Sequence, residues 1–181
     1  MEGNRHMGCD IHQINIMIDA KTKKAYNVSG EVPIGELYHS DYVKEFIEGR
    51  NYDLFGILAG VRSEMFQINE NVHFGVPDEL PDSLKEKIDD HDYGFHSFTW
   101  YYLDDLKHEL EWTVEKLQMY LQARANTDPS FISDGDIDEY RWIKRSVEKW
   151  VQELTILHED LKAAGHDEDF KTSKVFFFFD S

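Results

Sequence analysis

Apolar side chains alternate near the start of the chain. Over Asp10–Asp19 (DIHQINIMID), Ile14, Ile16 and Ile18 take every second position. Residues two apart point the same way in an extended strand, so the three isoleucines share one face. Asp10 and His12 begin that face, and Ile11, Met17 and Asp19 lie on the other. Lys21–Lys24 reads as a polar turn and Ala25–Val28 as the returning strand of a hairpin. Phe95–Tyr102 is aromatic and β-branched, which predicts a strand or ordered segment feeding a helix. Lys174–Phe179 has phenylalanine at odd and even positions alike, the pattern of a central strand covered on both sides.

Between these strands the period changes. Ser40 can cap a helix through Glu48, and Asn51 can cap a second helix, Tyr52–Ala59, that Gly60 stops. Asp82–Ile88 reads as a short helix. Over Leu103–Ala125, Leu106, Leu110, Val114, Leu117 and Leu121 recur at spacings of three and four, which predicts a long helix. Ile137–Ala164 carries Tyr140, Ile143, Val147, Trp150, Leu154, Leu157 and Leu161, a coiled-coil seam closed by Gly165. The two long helices most simply form an antiparallel hairpin over residues 103–164. Its seam either is the hairpin's own core or also holds a homodimer through the long helices. The expected fold is α+β, one domain over residues 7–181: a small sheet containing the N- and C-terminal strands, short covering helices, and the hairpin.

Charge narrows the partners. The chain has 36 acidic and 19 basic side chains, a formal net charge of −17. Such a chain repels nucleic acid and anionic lipid on average, so neither is an expected direct partner. The charge serves solubility, or it imitates a DNA phosphate backbone to engage a host nuclease or defence protein. The single cysteine, Cys9, cannot form an internal disulfide and fits a reducing compartment. No apolar run approaches the ~20 residues that span a bilayer, and no apolar signal core opens the chain. The expected location is the cytoplasm. Met1–His6 reads as a cloning remnant ahead of a second start at Met7.

Several polar residues could carry chemistry. Asp10 and His12, two apart on a strand, can face one ligand, and carboxylate plus imidazole suits a divalent metal such as Zn, Mn or Fe. The plainer alternative is a hydrogen-bonded strand-end carboxylate and a structural histidine. The remaining signatures of metallophosphoesterases and amidohydrolases are missing from the sequence. His96 could be a third ligand, a general base or a proton donor, or could simply be satisfied by a backbone carbonyl. Ser97 beside it lacks the Gly-x-Ser-x-Gly elbow of serine hydrolases. Arg50 and Arg62 flank the Tyr52–Ala59 helix and could grip a phosphate, or pair with some of the many acids. Cys9 reads as a buried thiol rather than a nucleophile. Asp134, Asp136 and Asp138 lack the glycine and glutamate of a calcium loop and read as a solvated helix cap.

Five blocks together resemble a family of phage and prophage proteins. They are Met7-Gly8-Cys9-Asp10-Ile11-His12; Arg50-Asn51-Tyr52-Asp53-Leu54-Phe55 with Leu58-Ala59-Gly60-Val61-Arg62; the Pro77–Pro81 turn; His96-Ser97-Phe98-Thr99-Trp100, similar to a His-Ser-x-Ser-Trp block; and the last strand ending Phe179-Asp180. They cover about a third of the chain. Thr99 stands where the family has Ser, and the 103–164 hairpin is larger than is typical of it. The resemblance implies phage origin and a small α+β fold, and it supplies no activity.

Two functional expectations follow. In the first, Asp10, His12, Arg50, Tyr52, Arg62, Ser97, His96, Trp100 and Asp180 line one polar pocket for a small anionic, nucleotide-like ligand. If that pocket hydrolyses its ligand, Asp10, His12 and His96 hold the metal or handle protons, the arginines neutralise phosphate, and Tyr52 or Trp100 stacks a base. In the second, the protein is an acidic inhibitor of a host nuclease or defence protein and performs no chemistry.

Overall fold

Five strands form one sheet in the computed structural model, which describes residues 11–28, 56, 58, 59, 71–89, 95–127 and 134–179. In chain order the elements are β1 (Ile11–Ile18), β2 (Ala25–Val28), β3 (His73–Phe74), α1 (Asp82–Ile88), β4 (His96–Tyr102), α2 (Leu103–Thr127), α3 (Asp134–Ala163), α4 (Asp167–Thr172) and β5 (Lys174–Phe179). The strand order is β2-β1-β5-β4-β3, and every neighbouring pair is antiparallel. The class is α+β, and the phenylalanine strand β5 is central as its two-sided pattern predicts.

Alternation along the strands divides the core in two. On one face Ile14, Ile16, Ile18, Phe176 and Phe178 pack with Leu80 and with Leu84 and Ile88 of α1. On the other, Met17, Tyr101, Val175, Phe177 and Phe179 pack with the long helices and with Leu58 and Ala59. All six residues of β5 are buried, so neither face of that strand is left to water.

The helical seam is consumed within the chain. Tyr140, Ile143, Val147, Trp150 and Leu154 of α3 are buried in one cluster with Leu106, Leu110 and Leu117 of α2. Leu157 and Leu161 pack against the same cluster. Trp150 meets Phe177 edge-on at 5.7 Å, which joins the hairpin to the sheet. The seam is therefore the hairpin's own core, leaving only the outer helix faces for a partner. At the end of α3, Gly165 takes φ 83°, and His166 N–H donates to the Leu161 carbonyl at 2.8 Å. A left-handed residue there is the ordinary helix stop, and glycine adopts it without a Cβ clash.

Two elements escape the sequence pattern. β3 has two residues and α4 six, too few for a period to declare itself. Tertiary hydrogen bonds hold α4 in place. Asp169 Oδ1 accepts from Ala20 N–H at 2.9 Å, Ser173 Oγ accepts from Ile18 N–H at 3.0 Å, and Thr172 Oγ1 donates to the Ile18 carbonyl at 3.0 Å. His158 stacks on Phe170 at 4.3 Å and meets Asp167 at 3.0 Å. These contacts tie the end of β1 to the approach of β5, which pairs with it.

The β1–β2 turn is organised by Asp19, whose Oδ1 accepts from Lys21 N–H at 2.9 Å and Thr22 N–H at 2.6 Å. Donation from the Thr22 backbone, followed by its side chain, holds the Asp19 carboxyl below its ordinary value of 3.8. A carboxylate favoured in the folded state adds stability above that value and loses it as pH falls through the lowered one. In Asp19→Asn, the deficit in thermal midpoint relative to wild type is expected to shrink on acidification below 3.8. Thermal denaturation at neutral and acidic pH checks this, and a deficit that grows in acid contradicts it.

Candidate functional site

Register brings three strand ends together. Phe179 pairs with Ile11 on one side and His96 on the other. The start of β1, the end of β5 and the start of β4 therefore share one end of the sheet. The first and last strands, expected in one sheet, are paired directly with each other. Asp10 precedes Ile11 in the chain and Asp180 follows Phe179, but both lie outside the described residues, as do Cys9, Arg50, Tyr52 and Arg62.

The two histidines expected to share a metal do not converge. His12 is 6% exposed and follows the isoleucine face of β1. Its ring stacks on Phe178 at 4.8 Å and meets Phe95 edge-on at 5.3 Å, inside the core on the α1 side. His96 lies over Phe179 at 6.2 Å, and Phe179 belongs to the hairpin-side cluster. The imidazoles stand on opposite faces of the sheet, so Asp10, His12 and His96 cannot act as one ligand set. Strand parity is the physical reason: His12 pairs with Phe178, and His96 with the next residue, Phe179. Among the described residues no group of three or more His, Cys, Asp or Glu side chains could hold a metal ion.

Trp100 is likewise separated from His96. It shares the α1-side face with Phe98 and is already covered there. His73 stacks on its ring at 4.0 Å and 10°, and Lys174 Nζ lies 4.3 Å from its centroid. Internal partners thus occupy the expected base-stacking surface. Lys174 is buried, and its Nζ donates to both oxygens of Glu79 at 2.7 and 2.8 Å.

On the hairpin side the geometry is more suggestive. Between Phe179 and Phe177 of β5 the facing strand advances from His96 to Thr99, one residue more than the ladder requires. Ser97 absorbs the difference with φ 55°, a left-handed conformation for a residue that carries a Cβ. Such a bulge re-aims the side chains on either side of it, and the strained conformation costs about 1 kcal/mol. Ser97 Oγ and His96 Nδ1 share a 2.8 Å hydrogen bond. The extra residue lets His96 and Thr99 face the same way, toward the hairpin. Thr99 is 1% exposed, and its hydroxyl has no hydrogen-bond partner among the described residues. A buried hydroxyl without a partner costs about 1–3 kcal/mol.

Among the described residues the candidate site consists of His96, Ser97 and Thr99 at the sheet end, floored by Phe179. Tyr101 Oη, on the same strand, donates to the Leu58 carbonyl at 2.9 Å. That bond fastens the stretch of chain holding Leu58 and Ala59 to this side of the sheet. Thr99 was not among the expected site residues. Its neighbours in sequence read only as an aromatic strand, and no local signal marks a bulge at a serine. An imidazole and two hydroxyls can together hold the oxygens of a phosphate or carboxylate. No described carboxylate is hydrogen-bonded to His96, so a Ser-His-Asp relay is not assembled from the described residues.

No described helix is long and apolar enough to cross a membrane. Comparison with family models, with curated proteins and with solved structures finds no match for this chain.

Proposed function

We propose that the protein is a phage-type accessory protein of the cytoplasm that binds a small anionic, nucleotide-like ligand at the bulged start of β4. The supporting observation is the pairing of a strained Ser97, φ 55°, with a buried Thr99 hydroxyl that has no described partner. Both features cost stability, and strain retained in a fold is commonly retained for a ligand. His96 supplies a ring nitrogen that can donate, Ser97 a hydroxyl held by that imidazole, and Thr99 a desolvated hydroxyl that a ligand oxygen would satisfy. Leu58 and Ala59 lie on the same side, in the stretch of sequence that carries Arg50, Tyr52 and Arg62. On this reading the two arginines answer the ligand's charge.

Charge along the hairpin favours this reading over an acidic decoy. α2 carries five acidic and three basic side chains, and α3 eight and five. Pairs such as Lys144–Glu148 and Arg141–Asp138 interleave the signs. A phosphate mimic calls for a continuous negative face instead.

The test is thermal-shift and calorimetric titration with inorganic phosphate and a panel of nucleoside monophosphates. Wild type should rise in midpoint with ligand, by about 2.7 kcal/mol of stability at a hundredfold excess over Kd. His96→Ala should abolish the response. Thr99→Val should gain about 1 kcal/mol of stability without ligand, because the orphaned hydroxyl is gone, and should bind more weakly. Ser97→Gly should be more stable than Ser97→Ala, since only glycine relieves the left-handed strain. The proposal fails if no probe shifts wild type, or if His96→Ala responds as wild type does.

A further inference from the structure

The edge strand β3 leaves one aromatic ring in water beside the candidate site. Phe74 is 68% exposed, more than any other large apolar side chain among the described residues. It pairs with Thr99, and His73 pairs with Trp100. Thr99 in turn pairs with Phe177, which belongs to the hairpin-side cluster. Strand parity then puts Phe74 on the hairpin side with Thr99, and His73 on the α1 side with Trp100. Gly75 N–H donates to the Phe98 carbonyl at 3.0 Å. In an antiparallel ladder that makes Phe74 and Thr99 a non-hydrogen-bonded pair, the kind whose side chains stand closest, with Cβ atoms about 4.5–5.5 Å apart.

We propose that Phe74 is the platform on which the base of the nucleotide-like ligand stacks, with the ligand's phosphate at His96 and Ser97. The inference rests on the anion site proposed above and adds that its ligand carries a flat aromatic base. Two independent observations meet here. One is the exposed ring; the other is the Thr99 hydroxyl beside it, 1% exposed and without a hydrogen-bond partner among the described residues. His96 stands opposite Phe179 and Thr99 opposite Phe177, two residues or roughly 7 Å apart along the sheet. A ribose can bridge that offset, from a phosphate at His96 to a base over Phe74. One of its oxygens then passes Thr99 and satisfies the buried hydroxyl.

The platform is held in place on both sides of the sheet. His73 stacks on Trp100 at 4.0 Å and meets Tyr102 edge-on at 5.6 Å. Val72 packs against the hairpin-side cluster, and Asn71 Nδ2 donates to Glu109 Oε1 of α2 at 2.7 Å. A ring fixed before binding loses little freedom when a ligand arrives. Trp100, the ring expected to stack a base, is covered by His73 and Lys174. Its cross-strand neighbourhood offers Phe74 instead, on the face where His96 and Thr99 lie. Stacking on an aromatic face needs no particular hydrogen bonds, so any base suits it and the larger purines gain most.

Calorimetric titration of the full chain with inorganic phosphate, ribose 5-phosphate and adenosine 5′-monophosphate tests this. Wild type should bind the nucleotide about tenfold or more tightly than ribose 5-phosphate, the increment one stacked base supplies. Phe74→Ala and Phe74→Leu should lose that increment and bind the two ligands alike, with the affinity for inorganic phosphate as in wild type. Phe74→Tyr, which keeps an aromatic face, should retain the preference. The position is exposed, so circular dichroism should show every variant folded. If wild type binds neither phosphate nor the nucleotide, the anion site itself fails and the platform with it. If wild type binds phosphate but prefers the nucleotide no more than ribose 5-phosphate, or if Phe74→Ala keeps the preference, the platform alone is overturned and the anion site stands.

Discussion

Trp150→Ala is expected to lower the stability of the protein by about 3–5 kcal/mol and its thermal midpoint by on the order of 10 °C. Trp150 is 1% exposed and among the largest fully buried side chains. It lies on the seam of α3 and meets Phe177 of the central strand edge-on at 5.7 Å. One side chain thus fills two boundaries: helix against helix, and hairpin against sheet. Removing it leaves a cavity with rigid neighbours on both sides, and the loss grows with the volume that cannot collapse. Trp150→Phe, which keeps an aromatic ring at the centre, should cost less than half as much. Chemical denaturation reads both. A loss below about 1 kcal/mol for alanine would mean that the hairpin does not depend on the sheet for its stability.

The second large effect comes from a charge. Lys174 is 8% exposed, with its ammonium between the faces of Trp100 and Tyr102 and both oxygens of Glu79 within 2.8 Å. Glu79→Ala removes the counter-charge and strands the ammonium against the Trp100 and Tyr102 rings of β4. A broken buried pair costs about 3–5 kcal/mol; Glu79 retains 24% side-chain exposure, so water softens the loss to about 2–3 kcal/mol. Lys174→Met, which removes the charge and keeps the stem, should cost less. The double variant Glu79→Ala with Lys174→Met should recover at least about 1 kcal/mol over Glu79→Ala alone. Simple addition of the two losses would show that the pair is not coupled. The pair has a structural consequence: it fastens the Pro77–Pro81 turn to the central strand across 95 residues of sequence.

Much of this architecture is legible in the residues themselves. Ile14, Ile16 and Ile18 declare a strand because side chains alternate with period two. Leu106 to Leu121 and Tyr140 to Leu161 declare long helices because apolar residues return every three or four positions. The phenylalanines of Lys174–Phe179 declare a central strand because no face is left polar. The candidate site was less legible. Asp10, His12 and His96 have the right types for a metal, but ligand types do not say which side of a sheet each will take. His12 aligns with Phe178 and His96 with Phe179. That single step in register puts one imidazole in the α1-side core and the other on the hairpin side. Trp100 fell to the same rule: its face is the one where His73 and Lys174 already sit.

Local pattern in the chain determined the long helices, the strands β1 and β5, the centrality of β5 and the acidity. Each depends only on side-chain character and spacing over a few residues. Tertiary structure alone decided the strand order, the bulge at Ser97, the company of His96 with Thr99, the burial of Lys174 against Glu79 and the anchoring of α4. Those depend on which distant segments meet and in what register, and register is a property of the paired strands that neither strand carries alone.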